Sequence, residues 1–194
     1  MPLKIALFAS GSGSNAENIV NYFSGSSDVQ TPLIVSNKPD AYVHERARKL
    51  GVPSYTFTAS EFREATAILK LLEAFEIDFI VLAGFLLKVS EPILHAYPNK
   101  IINIHPALLP KFGGKGMYGH HVHEAVVAAG ERETGITIHY VNENYDEGKV
   151  IFQAKCEVSP DDTPDTVAQK IHALEQQHFP VQLENLLMIN GCTK

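Results

Sequence analysis

The sequence predicts an α/β fold built on a doubly wound, mainly parallel sheet, with antiparallel strands late in the chain. Three observations predict it. Apolar, β-rich runs alternate with helical patterns through the first hundred residues, as in βαβ units. A glycine-rich turn, Ser10-Gly11-Ser12-Gly13-Ser14-Asn15, joins the first such run to the first helical pattern. From Ile136 onward two strand patterns are separated only by a short polar turn, which calls for antiparallel pairing.

Leu3 to Ala9 reads as a buried strand, and Ala16, Ile19, Val20 and Phe23 mark the helix that follows the glycine turn. Pro32 to Ser36 is the second strand. A helix is expected from Asn37–Asp40, with Pro39 in its first turn, to Leu50, where Gly51 stops it. Val52 to Phe57 is the third strand, and Thr58-x-x-Glu61 is a capping box opening one helix from about Ser60 to Phe75. Asp78 to Ala83 is a strongly apolar fourth strand that runs into Gly84-Phe85-Leu86-Leu87-Lys88-Val89, a loop rich in large apolar residues. Such a loop is either core or an apolar ligand wall. Glu91 to Tyr97 is a short helix, and Lys100-Ile101-Ile102 leads the fifth strand into Asn103-Ile104-His105-Pro106. Lys111 to Gly119 is a loop with four glycines, and His120 to Ala129 returns to helix. Ile136 to Val141 and Val150 to Val158 are the last strands, joined by the acidic turn Asn142 to Gly148. Thr163-Pro164-Asp165 caps a final helix with Val167, Ile171 and Leu174 on one face.

Length and composition narrow the functional classes. The 194 residues suffice for one α/β domain, and 45% apolar with 20% charged residues is a globular composition. No apolar run approaches the roughly 20 residues of a membrane span. A net charge of −6 disfavours a nucleic-acid partner, which needs a basic face. Cys156 and Cys192 lack metal-ligand spacing and read as free thiols of a reducing cytosol.

Chemistry concentrates around Asn103 and His105. Residues two apart on a strand face the same side, so the amide and the imidazole address one point. The prolines at 106 and 110 then stop the strand and stiffen its exit. A neutral donor beside a ring that can be cationic near neutral pH suits a developing oxyanion. Asp146, in the turn between the last two strands, is the candidate proton acceptor, and its charge should raise the pKa of His105 and keep that ring protonated. The bland alternative is a pair of turn-stabilising side chains at a strand end. The glycine turn offers backbone N–H groups at a helix N-terminus, an anion site. A phosphate monoester, a dinucleotide and a plain tight turn all fit it. The second strand ends in Asn37-Lys38, however, without the carboxylate a dinucleotide ribose requires. His120, His121 and His123 form an HHxH pattern, but adjacent histidines point apart on a helix and no third ligand accompanies them, so no metal is expected. His139 sits on a strand two residues from Val141 and is ambiguous, while His44, His95, His172 and His178 read as ordinary helix residues.

Asn103-Ile-His105-Pro-Ala-Leu-Leu-Pro110, with Asp146-x-Gly148 about forty residues on, resembles the signature of the folate-dependent formyltransferases. Ser10 to Asn15, Ser36-Asn-Lys38, Leu82 to Phe85, Thr137-Ile-His139 and Ile151-Phe-Gln153 fall in that family's order, so the resemblance covers nearly the whole chain. It implies a Rossmann-like formyltransferase fold in one domain, 1–194. A phosphate-binding half would span about 1–100, and a catalytic and folate-binding half about 101–194. It implies transfer of formyl from 10-formyltetrahydrofolate, a consumed co-substrate, to the amine of glycinamide ribonucleotide. Asn103 and His105 would stabilise the oxyanion, while Asp146 would hold His105 charged and help move the proton. Gly13, Ser14 and Asn15 match the phosphate-binding residues, and Glu175 the contact to the sugar. Leu86, Leu87, Lys88 and Val89 match the folate loop, which binds mainly through backbone, and Arg63 matches a folate-contacting arginine. Asn103 also faces the folate. The implied partners are small molecules, with no nucleic acid and no membrane, for a cytoplasmic monomer or weak homodimer. Two departures stand out: the 111–119 loop is longer and richer in glycine than the commoner pattern, and Leu87 replaces a basic or aromatic folate-loop side chain.

Rivals make other demands. A formyltransferase acting on initiator methionyl-tRNA carries a further C-terminal RNA-contacting domain, which an acidic chain ending at Lys194 is not expected to have. A 10-formyltetrahydrofolate hydrolase carries an N-terminal regulatory domain, whereas here a strand starts at Leu3. A non-catalytic sugar-phosphate or folate binder would not need Asn103, His105 and Asp146 together, and a dehydrogenase would need the missing carboxylate.

Overall fold

The computed structural model describes residues 1–191. Seven strands form one sheet: β1 Leu3–Phe8, β2 Val29–Ser36, β3 Ser54–Thr56, β4 Phe79–Leu82, β5 Ile101–His105, β6 Glu133–Tyr140 and β7 Val150–Glu157. Their order is β3-β2-β1-β4-β5-β6-β7. The first five are parallel; β5–β6 and β6–β7 are antiparallel. The helices are α1 Ser14–Tyr22, α2 Val43–Leu50, α3 Ala59–Glu64, α4 Thr66–Ala74, α5 Glu91–Ala96, α6 His120–Ala128 and α7 Pro164–Gly191.

Both sheet faces are covered, which explains why the central strands are apolar without alternating. Ile5 and Leu7 of β1, with Phe79 and Val81 of β4, pack against residues of α1, α2, α6 and α7, among them Ile19, Val43, Val126 and Ile171. Ala6 and Phe8, with Ile80 and Leu82, pack on the opposite side against Phe62 of α3, Ile68 and Leu72 of α4, and Ile93 of α5. Each such aliphatic side chain contributes roughly 1.5–3 kcal/mol when fully buried.

Several boundaries differ from the sequence reading. The helix expected from Asn37 begins at Val43, because residues 37–42 form turns and the Val43 N–H is taken by Gly11 O at 3.1 Å. The single helix expected from Ser60 to Phe75 is broken at Ala65, whose φ is 61° and whose methyl is fully buried. No proline or glycine marks that break, and the apolar period runs straight through it. β3 shrinks to three residues at the sheet edge, whereas β6 begins three residues earlier than expected. Gly135 makes that extension possible: a Cβ there would fall on the Ala154 carbonyl of β7. α7 continues through Pro180, which removes one ladder bond from the helix. The Leu109–Pro110 peptide bond is cis.

Candidate active site

A cavity of about 710 Å³ opens at the carboxyl ends of β1, β4 and β5. The chain runs outward from β1 to β3 and crosses back to β4, so the cavity lies at the point where strand order reverses. Open α/β sheets bind ligands there.

One end of the cavity is the turn before α1. Gly13 adopts φ 74°, and a Cβ on it would collide with Val43 of α2, so glycine is required for this close approach. Residues 11–15 line the cavity with the first turn of α1. Across from them lies α7. Asn15 Nδ2 donates to Glu175 Oε2 at 2.9 Å, and Gln176 Nε2 donates to Asn15 Oδ1 at 2.9 Å. His172, read from the sequence as an ordinary helix residue, also lines this end, with Nδ1 3.8 Å from Glu175 Oε2.

The opposite wall is the loop after β4. Ser10 fixes it to β1: Leu86 N donates to Ser10 Oγ at 2.8 Å, and Ser10 N donates to Gly84 O at 3.0 Å. Leu86, Leu87, Lys88 and Val89 all line the cavity, with Val89 buried and Leu86 exposed. The Lys88 ammonium lies 5.7 Å from the centre of the Tyr145 ring, a cation–π contact joining this loop to the one before β7. Arg63 is not part of this wall; it is exposed on α3, outside the residues lining the cavity.

Between the two ends stand Asn103, His105 and Asp146. Asn103 and His105 close β5 on the same side, as their spacing requires. Asp146 reaches them from the 142–148 loop with φ 56°, a left-handed conformation that aspartate tolerates. Its Oδ2 lies 3.6 Å from His105 Nδ1 and accepts from Gly114 N at 2.9 Å; its Oδ1 lies 3.6 Å from His139 Nε2. The carboxylate is thus held between two buried imidazoles. Burial pushes its pKa up, but His139, the charge of His105 and the Gly114 N–H together bring it below the ordinary aspartate value.

His105 corrects one expectation. Burial pushes its pKa below the ordinary imidazole value, and the opposing pull of Asp146 and of the Phe112 carbonyl does not restore it. His105 Nε2 donates to Phe112 O at 2.7 Å, leaving Nδ1 facing Asp146. Burial thus favours the neutral ring over the charged one.

A hydroxyl network sets the Pro106–Pro110 turn. Thr137 Oγ1 donates to Ala107 O at 2.7 Å and accepts from Leu109 N at 3.0 Å and from Gln153 Nε2 at 2.9 Å. Thr137 lies opposite His105 on β6 and Gln153 opposite Thr137 on β7, so three adjacent strands hold the turn. His139 lies opposite Asn103, with Asn103 Nδ2 3.2 Å from His139 Nε2. Sequence reading left His139 unassigned; its signal was the even spacing from Thr137 on a strand that pairs with the Asn103 strand. His123 was read only as part of a metal pattern. It is buried against the cavity, and its Nδ1 has no hydrogen-bond partner among the described residues.

Among the described residues no three His, Cys, Asp or Glu side chains come together as a metal site. The His120 and His123 rings are 6.3 Å apart, and His121 turns to Glu124 instead. Cys156 is a half-buried free thiol on β7, and Cys192 lies outside the described residues.

The family described as Formyl transferase matches residues 3–183. The phosphoribosylglycinamide formyltransferase of Bacillus subtilis is 39% identical over 193 residues, covering 97% of this chain and 96% of the relative. The chloroplastic enzyme of that name from Arabidopsis thaliana is 40% identical over 181 residues; the match covers 90% of this chain and 61% of that longer protein. The crystal structure of the Streptococcus pneumoniae phosphoribosylglycinamide formyltransferase superposes with a TM-score of 0.84 at 39% identity, covering 95% and 98% of the two chains. That of Anaplasma phagocytophilum gives a TM-score of 0.89 at 31% identity, covering 97% and 88%.

Proposed function

Because this chain belongs to the formyl transferase family, we infer that it moves a formyl group from 10-formyltetrahydrofolate to the primary amine of 5-phosphoribosylglycinamide. The products are 5-phosphoribosyl-N-formylglycinamide and tetrahydrofolate, a step of purine (IMP) synthesis. The observation that carries the reading is the convergence of Asn103, His105 and Asp146 in a cavity with an anion-binding helix start at one end and an apolar loop at the other. The chain works as one domain, with both substrates meeting between its two halves.

In this reading the phosphate sits on the N–H groups of Gly13, Ser14 and Asn15, and Glu175 holds the ribose. The pteridine lies along Leu86 to Val89. Bringing amine and formyl carbon together supplies much of the acceleration. The amine nitrogen attacks the formyl carbon, and the carbonyl oxygen becomes an oxyanion facing Asn103 and His105. The oxyanion favours the protonated form of His105, countering the burial that favours the neutral ring. Asp146 assists transfer of the amine proton to the leaving N10, and the carbon–N10 bond breaks. The folate is consumed, and no step requires a metal.

No described helix is long and apolar enough to cross a membrane. The protein operates in the cytoplasm as a monomer or weak homodimer, on small molecules and without nucleic acid; sedimentation with and without substrates tests the oligomeric state. The reaction is tested by following tetrahydrofolate release with and without the ribonucleotide. Ribonucleotide-dependent release that falls about 10²–10⁴-fold in Asp146→Asn is the expected result. Equal release without any amine would indicate hydrolysis, and no release would overturn the reading.

A further inference from the structure

We propose that Arg46 is a positioning residue for the ribonucleotide's phosphate: from behind the glycine turn it fixes the direction of the Gly13 N–H. The inference rests on the formyl-transfer reading above. α2 stands outside the residues lining the cavity, whereas Gly11 to Asn15 line it. Two carbonyls of the turn are tied back to this helix. Val43 N donates to Gly11 O at 3.1 Å, and Arg46 Nε donates to Ser12 O at 2.8 Å. In a trans peptide the C=O and the N–H that follows it point in opposite directions. With the Gly11 and Ser12 carbonyls turned toward α2, the N–H groups of Ser12 and Gly13 face away from it. Among the described residues neither of these N–H groups has a backbone acceptor. A phosphate seated on the turn supplies one.

The spacing on α2 makes the clamp. Val43 and Arg46 are three apart and share one face of the helix. Val43 packs so close to Gly13 that a Cβ there would collide with it. The Arg46 guanidinium is itself held: Nη1 pairs with Glu17 of α1, and the group lies 5.1 Å from the centre of the Tyr42 ring. A planar fork addresses the Ser12 carbonyl and the Glu17 carboxylate together, which a single ammonium does not reproduce. Glu17 sits in the first turn of α1, where its charge opposes an incoming phosphate, and the same guanidinium offsets that charge.

Calorimetric binding of 5-phosphoribosylglycinamide, beside that of the phosphate-free nucleoside, tests the proposal. Arg46→Met should weaken ribonucleotide binding about 10–100-fold, the scale of one or two charge-assisted hydrogen bonds, and nucleoside binding less than about twofold. In turnover the same variant should raise KM for the ribonucleotide by a similar factor, with kcat and KM for the folate changed less than about threefold. Arg46→Lys keeps the charge without the fork and should still lose at least about threefold, so it decides the matter if Arg46→Met does not fold. The double variant Arg46→Met/Glu17→Gln separates the clamp from the charge: the loss should persist, because the Ser12 carbonyl is still released. Recovery to within about twofold of Glu17→Gln alone would show that Arg46 only masks Glu17, and would overturn the proposal. Wild-type affinity in Arg46→Lys, or an equal loss for the nucleoside, would overturn it too. If wild type binds the ribonucleotide through its phosphate yet releases no tetrahydrofolate, the formyl-transfer reading fails and the binding data still decide the clamp. Failure of wild type to bind the ribonucleotide would overturn both.

Discussion

Asn103 and His105 were legible because a strand places residues two apart on one side, and no tertiary information is needed to see it. The charge of His105 was not legible. Counting a nearby carboxylate predicts a raised pKa, but burial outweighs it, and burial is a property of the finished fold. His139 escaped for a related reason, since its value lies in a cross-strand register. His123 provides a pH test at this scale. Burial, helped by the neighbouring His120, holds its pKa below the ordinary histidine value. Unfolding therefore allows it to bind a proton more readily. Its contribution to stability is complete above the ordinary histidine value and is lost as pH falls through the depressed folded value. Urea denaturation between about pH 7.5 and about pH 5.5 should show wild-type stability falling more steeply with acid than that of His123→Gln. Parallel curves would show that His123 titrates alike in both states. Asp146→Asn should remove most of the activity and lower the urea midpoint only modestly, because asparagine tolerates the left-handed backbone found there but gives up the favoured carboxylate.

At the level of elements, the alternation of strands and helices was readable because each apolar run has a fixed period and each helix start or stop has its own residue chemistry. The Thr58–Glu61 capping box is present as the sequence indicated. The break at Ala65 was invisible, since a buried alanine with positive φ carries no marker. The order Thr137-Ile-His139 and Ile151-Phe-Gln153 was visible as a family pattern, but its purpose emerges only when β5, β6 and β7 lie side by side. Thr137 uses its donor and both its acceptor sites on the turn after β5 and on Gln153. Thr137→Val keeps the shape and removes all three bonds, leaving Leu109 N and Ala107 O unpaired near the core. We expect a loss of roughly 2–4 kcal/mol in chemical denaturation and a fall in kcat exceeding any rise in KM, as His105 loses its support. A stability change under about 0.5 kcal/mol would show that water replaces the hydroxyl.

At the scale of the whole molecule, the cavity draws on both halves of the chain. A phosphate-binding first half and a catalytic and folate-binding second half are the expectation; within the cavity, residues 11–15 face Glu175 and His172 of α7, and the Leu86–Val89 wall lies before residue 100. Proximity across the chain is what a single sequence hides. Because the ribonucleotide would bridge α1 and α7, it should stabilise the entire fold. At about 100 times its dissociation constant the gain is about 2.7 kcal/mol, readable as a rise in the thermal midpoint that the phosphate-free nucleoside fails to match. Chelators should leave both midpoint and turnover unchanged. The bond from Asn15 to Glu175 spans 160 positions. During synthesis on a ribosome, the first of these residues therefore waits for most of the chain to be translated before its partner emerges. At translation rates of about 5–20 residues per second that delay is on the order of ten seconds or more. A nascent fragment can expose the glycine turn, but the Asn15–Glu175 arrangement cannot form until the last helix is made.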